Sequence, residues 1–255
     1  MNDMGVQPVA EPASGLSQWQ RVANTFTAPS KTFEDIKRGN RSWWMPFLIT
    51  VIFGAFLFGA VTTQVTWQGV FENNQRNMPE FAKRMMANMT PEQKAKQEQQ
   101  GPRSQAITWA LAPLGILVMD IIAAGTLLGT INFGFGGKAT FGSIFAVTLY
   151  AGLAQWPIKL CLGGVALFAG ALPDAFMPQN PAGTNLGYYM NMQDTSPVLY
   201  ALASNVDITT IWCLVLTSIG VAVVAGTKRS AGYIAVFGWW GLVLLISLGF
   251  AAAMG

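Results

Sequence analysis

The sequence predicts an all-α polytopic membrane protein, a five-helix transmembrane bundle with short amphipathic helices at its surface. Three observations predict it. Five apolar runs each approach or exceed the ~20 residues a helix needs to cross a bilayer core of ~30 Å. Only 11% of the 255 residues are charged, where a soluble domain carries about 25%. Basic residues and tryptophans collect at the ends of the runs, as they do at membrane interfaces.

Composition narrows the chemistry. The chain has no histidine, which removes the side chain that most often binds metal or moves a proton near neutral pH. Its two cysteines, Cys161 and Cys213, lie inside apolar runs, so neither a disulfide framework nor a zinc site is expected. No cofactor or metal is expected. A net charge of +3 is too small to suggest nucleic acid. No nucleophile or paired-carboxylate motif suggests an enzyme.

Taken in order, residues 1–15 read as a disordered tail rich in small residues and proline. Nothing near Met1 reads as a secretory signal, because the first apolar run begins too far along. Residues 16–44 form a cytosolic amphipathic and basic lead-in. Leu16, Trp19, Ala23 and Phe26 fall at helical spacing and predict a surface helix with that face toward lipid. A second helix is expected from Lys31 to Arg38, capped by Ser30 or Thr32 and closed by Gly39. The lead-in is read as a membrane-surface anchor rather than a docking element.

Residues 45–255 are the membrane domain. The first span, about 45–68, is bracketed by Trp43 and Trp44 at one end and Trp67 at the other, roughly 35 Å apart by helix rise. Phe71–Gln105 is a long polar stretch. Thr90-Pro91-Glu92-Gln93 opens a helix within it, and Phe81, Met85, Met86 and Met89 form an apolar stripe expected to pack on the membrane surface. The second span, about 107–133, carries Pro113, Asp120 and the Gly125/Gly129 pair, a spacing that allows close helix approach. The third, about 141–171, carries Gln155, Pro157 and Lys159. Both are long for one crossing, so tilt or a proline kink is expected.

The glycine-rich run Gly134–Thr140 between them superficially matches phosphate-binding patterns. No strand precedes it, and Ala139 stands where a P-loop needs Ser or Thr. It reads as a tight turn. Leu172–Val206 holds no Lys or Arg, and Ser196-Pro197 opens a short helix in it. The fourth span, about 208–226, and the fifth, about 233–254, are joined by a turn containing Lys228 and Arg229.

Basic residues on the two sides count eight against six. Every short loop agrees with a cytosolic N-terminus and an external C-terminus, while the basic 71–105 loop opposes them. A multi-pass protein of a prokaryotic cytoplasmic (inner) membrane is expected.

The run Phe26-Thr27-Ala28-Pro29-Ser30-Lys31-Thr32-Phe33-Glu34-Asp35-Ile36, then Trp44-Met45-Pro46-Phe47, resembles the start of prokaryotic members of the Yip (Ypt/Rab-interacting protein) domain family. So does Asp207-Ile208-Thr209-Thr210-Ile211-Trp212, with Gly220 further along. The resemblance implies a five-span all-helical protein with a cytosolic N-terminus. Eukaryotic members are tied to Rab GTPases and vesicle traffic. They carry larger N-terminal regions and a Tyr-Gly element missing from this sequence, so GTPase binding is not carried over.

Asp120, Lys159 and Asp207 are the candidate site residues, because a charge at the bilayer centre costs at least ~2.5–3.5 kcal/mol and by default suggests function. An antiparallel second and third span put Asp120 and Lys159 roughly 20 and 26 Å from the boundary at the Gly-rich turn. An Asp120–Lys159 ion pair is therefore expected, with Gln155 at i−4 of Lys159. The preferred reading is a pair that fixes helix register; the functional one is a substrate or proton site beside Pro113 and Pro157. Asp207 is expected to cap the fourth span. The function expected is non-enzymatic, either membrane organisation or partner binding, the partners being the bilayer, another membrane protein or a second copy. The alternative is a small permease or channel using Asp120 and Lys159.

Overall fold

A computed structural model describes residues 15–170 and 176–254, apart from the side chains at 80, 81 and 254. The tail expected to be disordered lies outside the described residues except for Gly15, as do the end of the expected third span at 171 and the Phe81 side chain. Twelve α-helices follow in order among the described residues: α1 (Gln18–Thr27), α2 (Pro29–Lys37), α3 (Trp44–Gln64), α4 (Trp67–Arg76), α5 (Glu80–Ala87), α6 (Pro91–Ala110), α7 (Ala112–Gly129), α8 (Phe141–Gly152), α9 (Trp156–Phe168), α10 (Pro197–Asn205), α11 (Ile208–Ala225) and α12 (Arg229–Met254). A π-helical turn, Thr130–Gly134, extends α7, and a 3-10 turn, Leu186–Tyr189, precedes α10. No β-strand occurs among the described residues.

Five of these segments are long and apolar enough to cross a membrane: α3, α7 with its π turn, α8 with α9, α11 and α12. The chain is an all-α, multi-pass integral membrane protein. Two of its long apolar runs are interrupted by proline. α6 continues to Ala110 and the chain bends at Leu111, so the second span begins at Ala112 rather than near 107. Pro113 lacks an N–H and disfavours a helical residue before it. The third span breaks at Leu153–Gln155, and Pro157 then occupies the first turn of α9.

α11 packs against α2, α8 and α12, α3 lies along α9, and α7 lies along α8. One core gathers Phe33, Ile36, Ile144, Val147, Tyr150 and Val221. A second joins Leu57 and Val61 of α3 to Leu160 and Leu167 of α9. Much of the surface of α7 and α12 faces outward, as lipid-facing helices must.

The lead-in departs from a simple surface anchor. α1 does turn its apolar face outward, with Trp19 66% and Phe26 37% exposed. Its buried face is polar, with Arg21 and Thr25 inside and Thr32 and Asp35 of α2 opposite. Such an inside-out helix is stable where the outer solvent is lipid. α2 wedges between α8 and α11, burying Phe33 and Ile36 completely. Gly220 makes room for it, since a Cβ there would come within 2.5 Å of Val147 and 3.0 Å of Phe33. Neither Ser30 nor Thr32 caps α2, which begins at Pro29 with Ala28 as its uncapped boundary. Thr32 Oγ1 instead donates to the Arg21 carbonyl and Ser30 accepts from Arg229. The tertiary bonds take the hydroxyls that capping would have used.

On the opposite side, the Thr90–Gln93 capping box opens α6 and Ser196 caps α10. Of the apolar stripe on α5, Met85 is exposed and Met86 half-buried. The 134–140 turn is stapled by Asn132, whose side chain donates to the Ala139 carbonyl and accepts from the Ala139 N–H, both at 2.9 Å. Gly136 supplies the left-handed residue, with φ +68°.

Candidate intramembrane polar site

Asp207 is the N-cap of α11. Its Oδ1 accepts from Thr209 N at 2.9 Å, Thr209 Oγ1 at 2.6 Å and Thr210 N at 3.1 Å. Its Oδ2 accepts from the Thr184 hydroxyl and from Asn185 Nδ2, and Lys159 Nζ lies 3.1 Å from the same oxygen. The loop before α10 is thereby clamped to the membrane domain, an attachment reinforced by Ile208 N donating to the Thr184 carbonyl at 3.1 Å. Burial by itself would push the Asp207 carboxyl up. The hydrogen bonds from Thr184, Thr209, Asn185 and the Thr210 backbone outweigh it and hold the group well below the usual carboxylate range. Asp207 is thus a carboxylate facing an ammonium.

The expected Asp120–Lys159 pair does not form. Lys159 turns to Asp207, which sits where the third and fourth spans meet. Asp120 lies on α7 beside Thr148 of α8, within electrostatic reach of Cys213 on α11. Helix rise had matched the two residues in depth, but the lateral order of the helices gives Lys159 a different neighbour. Gln155 is close to that arrangement: its Nε2 donates to Thr210 Oγ1 at 3.0 Å, tying the break in the third span to the first turn of α11. Lys159, Asp207 and Gln155 are brought together; Asp120 is not paired with them, although it and Lys159 both lie within electrostatic reach of Cys213.

A second polar cluster, beneath α1 and α2, was not apparent from the sequence. Arg21 is 1% exposed. Its Nε lies 3.7 Å from Asp35 Oδ2, and its Nη1 donates to the carbonyls of Asn40 and Ser42 at 2.8 and 3.2 Å. The guanidinium stands over the Tyr150 ring, 5.2 Å from its centroid, and Tyr150 donates to Gln18 Oε1 at 2.8 Å. Asp35 also accepts from Leu16 N and Asn40 Nδ2. A signal did exist in the sequence. Arg21, Thr25, Thr32 and Asp35 lie opposite the apolar stripe, on a face easily taken as solvated.

Both clusters are stapling devices by geometry. Each joins a segment outside the spans to a span, and each places opposite charges within a few ångströms among further donors and acceptors.

No curated protein and no solved structure matched the chain. A family model described as the Yip1 domain matches residues 23–251. That match takes in α2, nearly all of the five spans and the Lys159–Asp207 cluster, starting just after Arg21 of the other cluster, and the protein belongs to the Yip1 domain family.

Proposed function

We propose that the protein is a non-enzymatic membrane component that organises the bilayer or holds a membrane partner, rather than passing a solute through its bundle. The observation that carries this reading is the state of Asp207 and Lys159. The carboxylate already accepts hydrogen bonds from Thr184, Asn185, Thr209 and Thr210 besides facing the ammonium. A transport site must release its internal partners to take a substrate, and here that would undo the clamp on a loop and a helix cap together. The absence of histidine supports a non-enzymatic role.

Basic side chains support a cytosolic N-terminus in a cytoplasmic membrane. Lys37 reaches the Gly226 turn and Arg229 reaches Ser30, so the lead-in and the 226–229 turn share one basic side. The alternative, a permease or channel, retains one supporting observation, Asp120 within a span and outside the Lys159–Asp207 ion pair. Flux measured in proteoliposomes separates the two, alongside crosslinking in native membranes. The proposal expects no solute-selective flux and recovery of a defined membrane partner or a second copy. Selective flux abolished by Asp120→Asn would overturn it.

A further inference from the structure

One rim of the bundle gathers cations from three separate stretches of the chain. Lys31, Lys37 and Arg38 follow the start of α2, Lys138 stands on the turn before α8, and Lys228 and Arg229 join α11 to α12, all of them exposed. The fold makes these stretches converge. Lys138 N donates to the Ala225 carbonyl at 3.0 Å, which lays the 134–140 turn against the end of α11. Lys37 Nζ lies beside Gly226 on the same side, 3.6 Å from where a Cβ would stand. Arg229 Nη2 donates to Ser30 Oγ, next to Lys31, at 3.1 Å. The backbone that carries these charges is fixed, since α2 buries Phe33 and Ile36 and Gly226 turns the chain at φ +69°.

The protein does not neutralise this rim itself. Among the described residues none of these side chains forms an ion pair. Glu34 is an exposed carboxylate on α2, but Asp35 beside it is turned inward onto Arg21. The opposite polar stretch is different in kind: its cations from Arg76 to Arg103 share the chain with Glu72, Glu80, Glu92 and Glu98. An excess of one sign held on one rim is the footprint of an external anion.

The level of the rim indicates which anion. Trp44 opens α3, Phe133 lies in the π turn that ends the second span and Phe141 opens α8; all three are exposed, Phe133 to 94%. Exposed aromatic rings at span ends mark the headgroup level of a bilayer. Arg41 and Lys138 each precede one of those rings by three residues, and Lys228 and Arg229 directly follow the fourth span. Their charged ends therefore reach the plane of the lipid phosphates, which an acidic protein would first have to displace. Clusters of about four to eight Lys and Arg beside a span attract anionic headgroups. A zwitterionic lipid carries its own cation next to the phosphate and gains less.

We infer that this rim binds anionic phospholipid of the leaflet it meets, with the headgroup phosphate held at the 226–229 turn by Lys37, Lys138 and Lys228. The inference goes beyond the proposed function and does not rest on it, since it requires neither a membrane partner nor the absence of flux.

The test reconstitutes the full chain in vesicles of phosphatidylglycerol and phosphatidylethanolamine in equal parts, re-extracts it in mild detergent and identifies the retained lipid by native mass spectrometry. Wild type retains phosphatidylglycerol in preference. Lys37→Gln with Lys138→Gln and Lys228→Gln lowers that preference about fivefold per charge removed. Arg84→Gln with Lys96→Gln and Arg103→Gln removes the same charge from exposed positions of the opposite stretch and leaves the preference intact. The single changes Lys37→Gln and Lys228→Gln, each worth about fivefold, repeat the test should the triple variant fail to fold. Raising salt from about 0.1 M to about 1 M weakens the wild-type preference, because exposed charges are screened. Glycerol 3-phosphate, a phosphate ester without tails, does not displace the lipid. Equal retention of both lipids by wild type overturns the inference, as does equal loss in both triple variants or an unchanged preference in the Lys37 and Lys228 variants. Displacement by glycerol 3-phosphate overturns it in favour of a soluble phosphate ester. No lipid preference together with binding of a polyglutamate peptide overturns it in favour of an acidic protein.

Discussion

Replacing Asp207 with alanine removes the acceptor shared by a helix cap, a loop clamp and an ion pair. The ion pair dominates. Asp207 is 1% exposed and Lys159 is close to buried, with 14% of its side chain accessible. Deleting one partner of a buried pair strands the other charge, at about 3–5 kcal/mol. The lost cap on Thr209 N and Thr210 N adds about 1 kcal/mol. Lys159→Met is the contrasting change. It leaves Asp207 with its donors from Thr184, Asn185, Thr209 and Thr210, and costs about 1.5–3 kcal/mol, the loss of one hydrogen bond to a charged group. Removing both, in Asp207→Ala with Lys159→Met, abolishes the stranded cation, so the double variant is more stable than Asp207→Ala alone. Equilibrium unfolding in mixed detergent micelles, followed by tryptophan fluorescence, reads all three. The reasoning is refuted if Asp207→Ala costs no more than the cap, about 1 kcal/mol, or if the double variant is no better than Asp207→Ala. Had Lys159 paired with Asp120, Asp120→Ala would be the variant rescued by Lys159→Met.

Three further outcomes follow from the same geometry. Because the Asp207 carboxyl is held below its unfolded value of about 4, it contributes stability that is complete above that pH. The contribution is lost as pH falls through the lowered folded value, so acid titration of stability shows a limb that Asp207→Asn flattens. Arg21→Met removes the cation beside Asp35 and the donor to the Asn40 and Ser42 carbonyls, at about 3–5 kcal/mol, and proteolysis in detergent then cuts the lead-in before the spans. If the lead-in stays as protected as in wild type, the Arg21–Asp35 contact is not what holds it. Gly220→Ala brings a methyl within 2.5 Å of Val147 and 3.0 Å of Phe33. It destabilises by about 1–3 kcal/mol and loosens α2, read as faster alkylation of a cysteine placed at Ile36.

Much of the fold was legible because one-dimensional signals suffice for it. The length and apolarity of α3, α11 and α12 exceed any plausible loop, and prolines 113 and 157 mark where the two long runs bend. The Thr90 capping box and Asp207 as a cap follow from residues two or three positions apart, a range over which a helix start is local. Lys159 was visible as a charge inside an apolar run, but helix rise placed it within side-chain reach of Asp120 and did not point to Asp207.

What the sequence by itself determined was membrane class, span number and the caps at Thr90, Ser196 and Asp207, since the solvent for each segment depends on that segment's own composition. Only the tertiary structure decided the partner of Lys159, the inward turn of Arg21 and Asp35 and the wedge of α2 against Gly220. Those depend on the lateral order and rotation of helices. Helix rise along an apolar run gives depth along the membrane normal, whereas side-chain packing across it selects the neighbours.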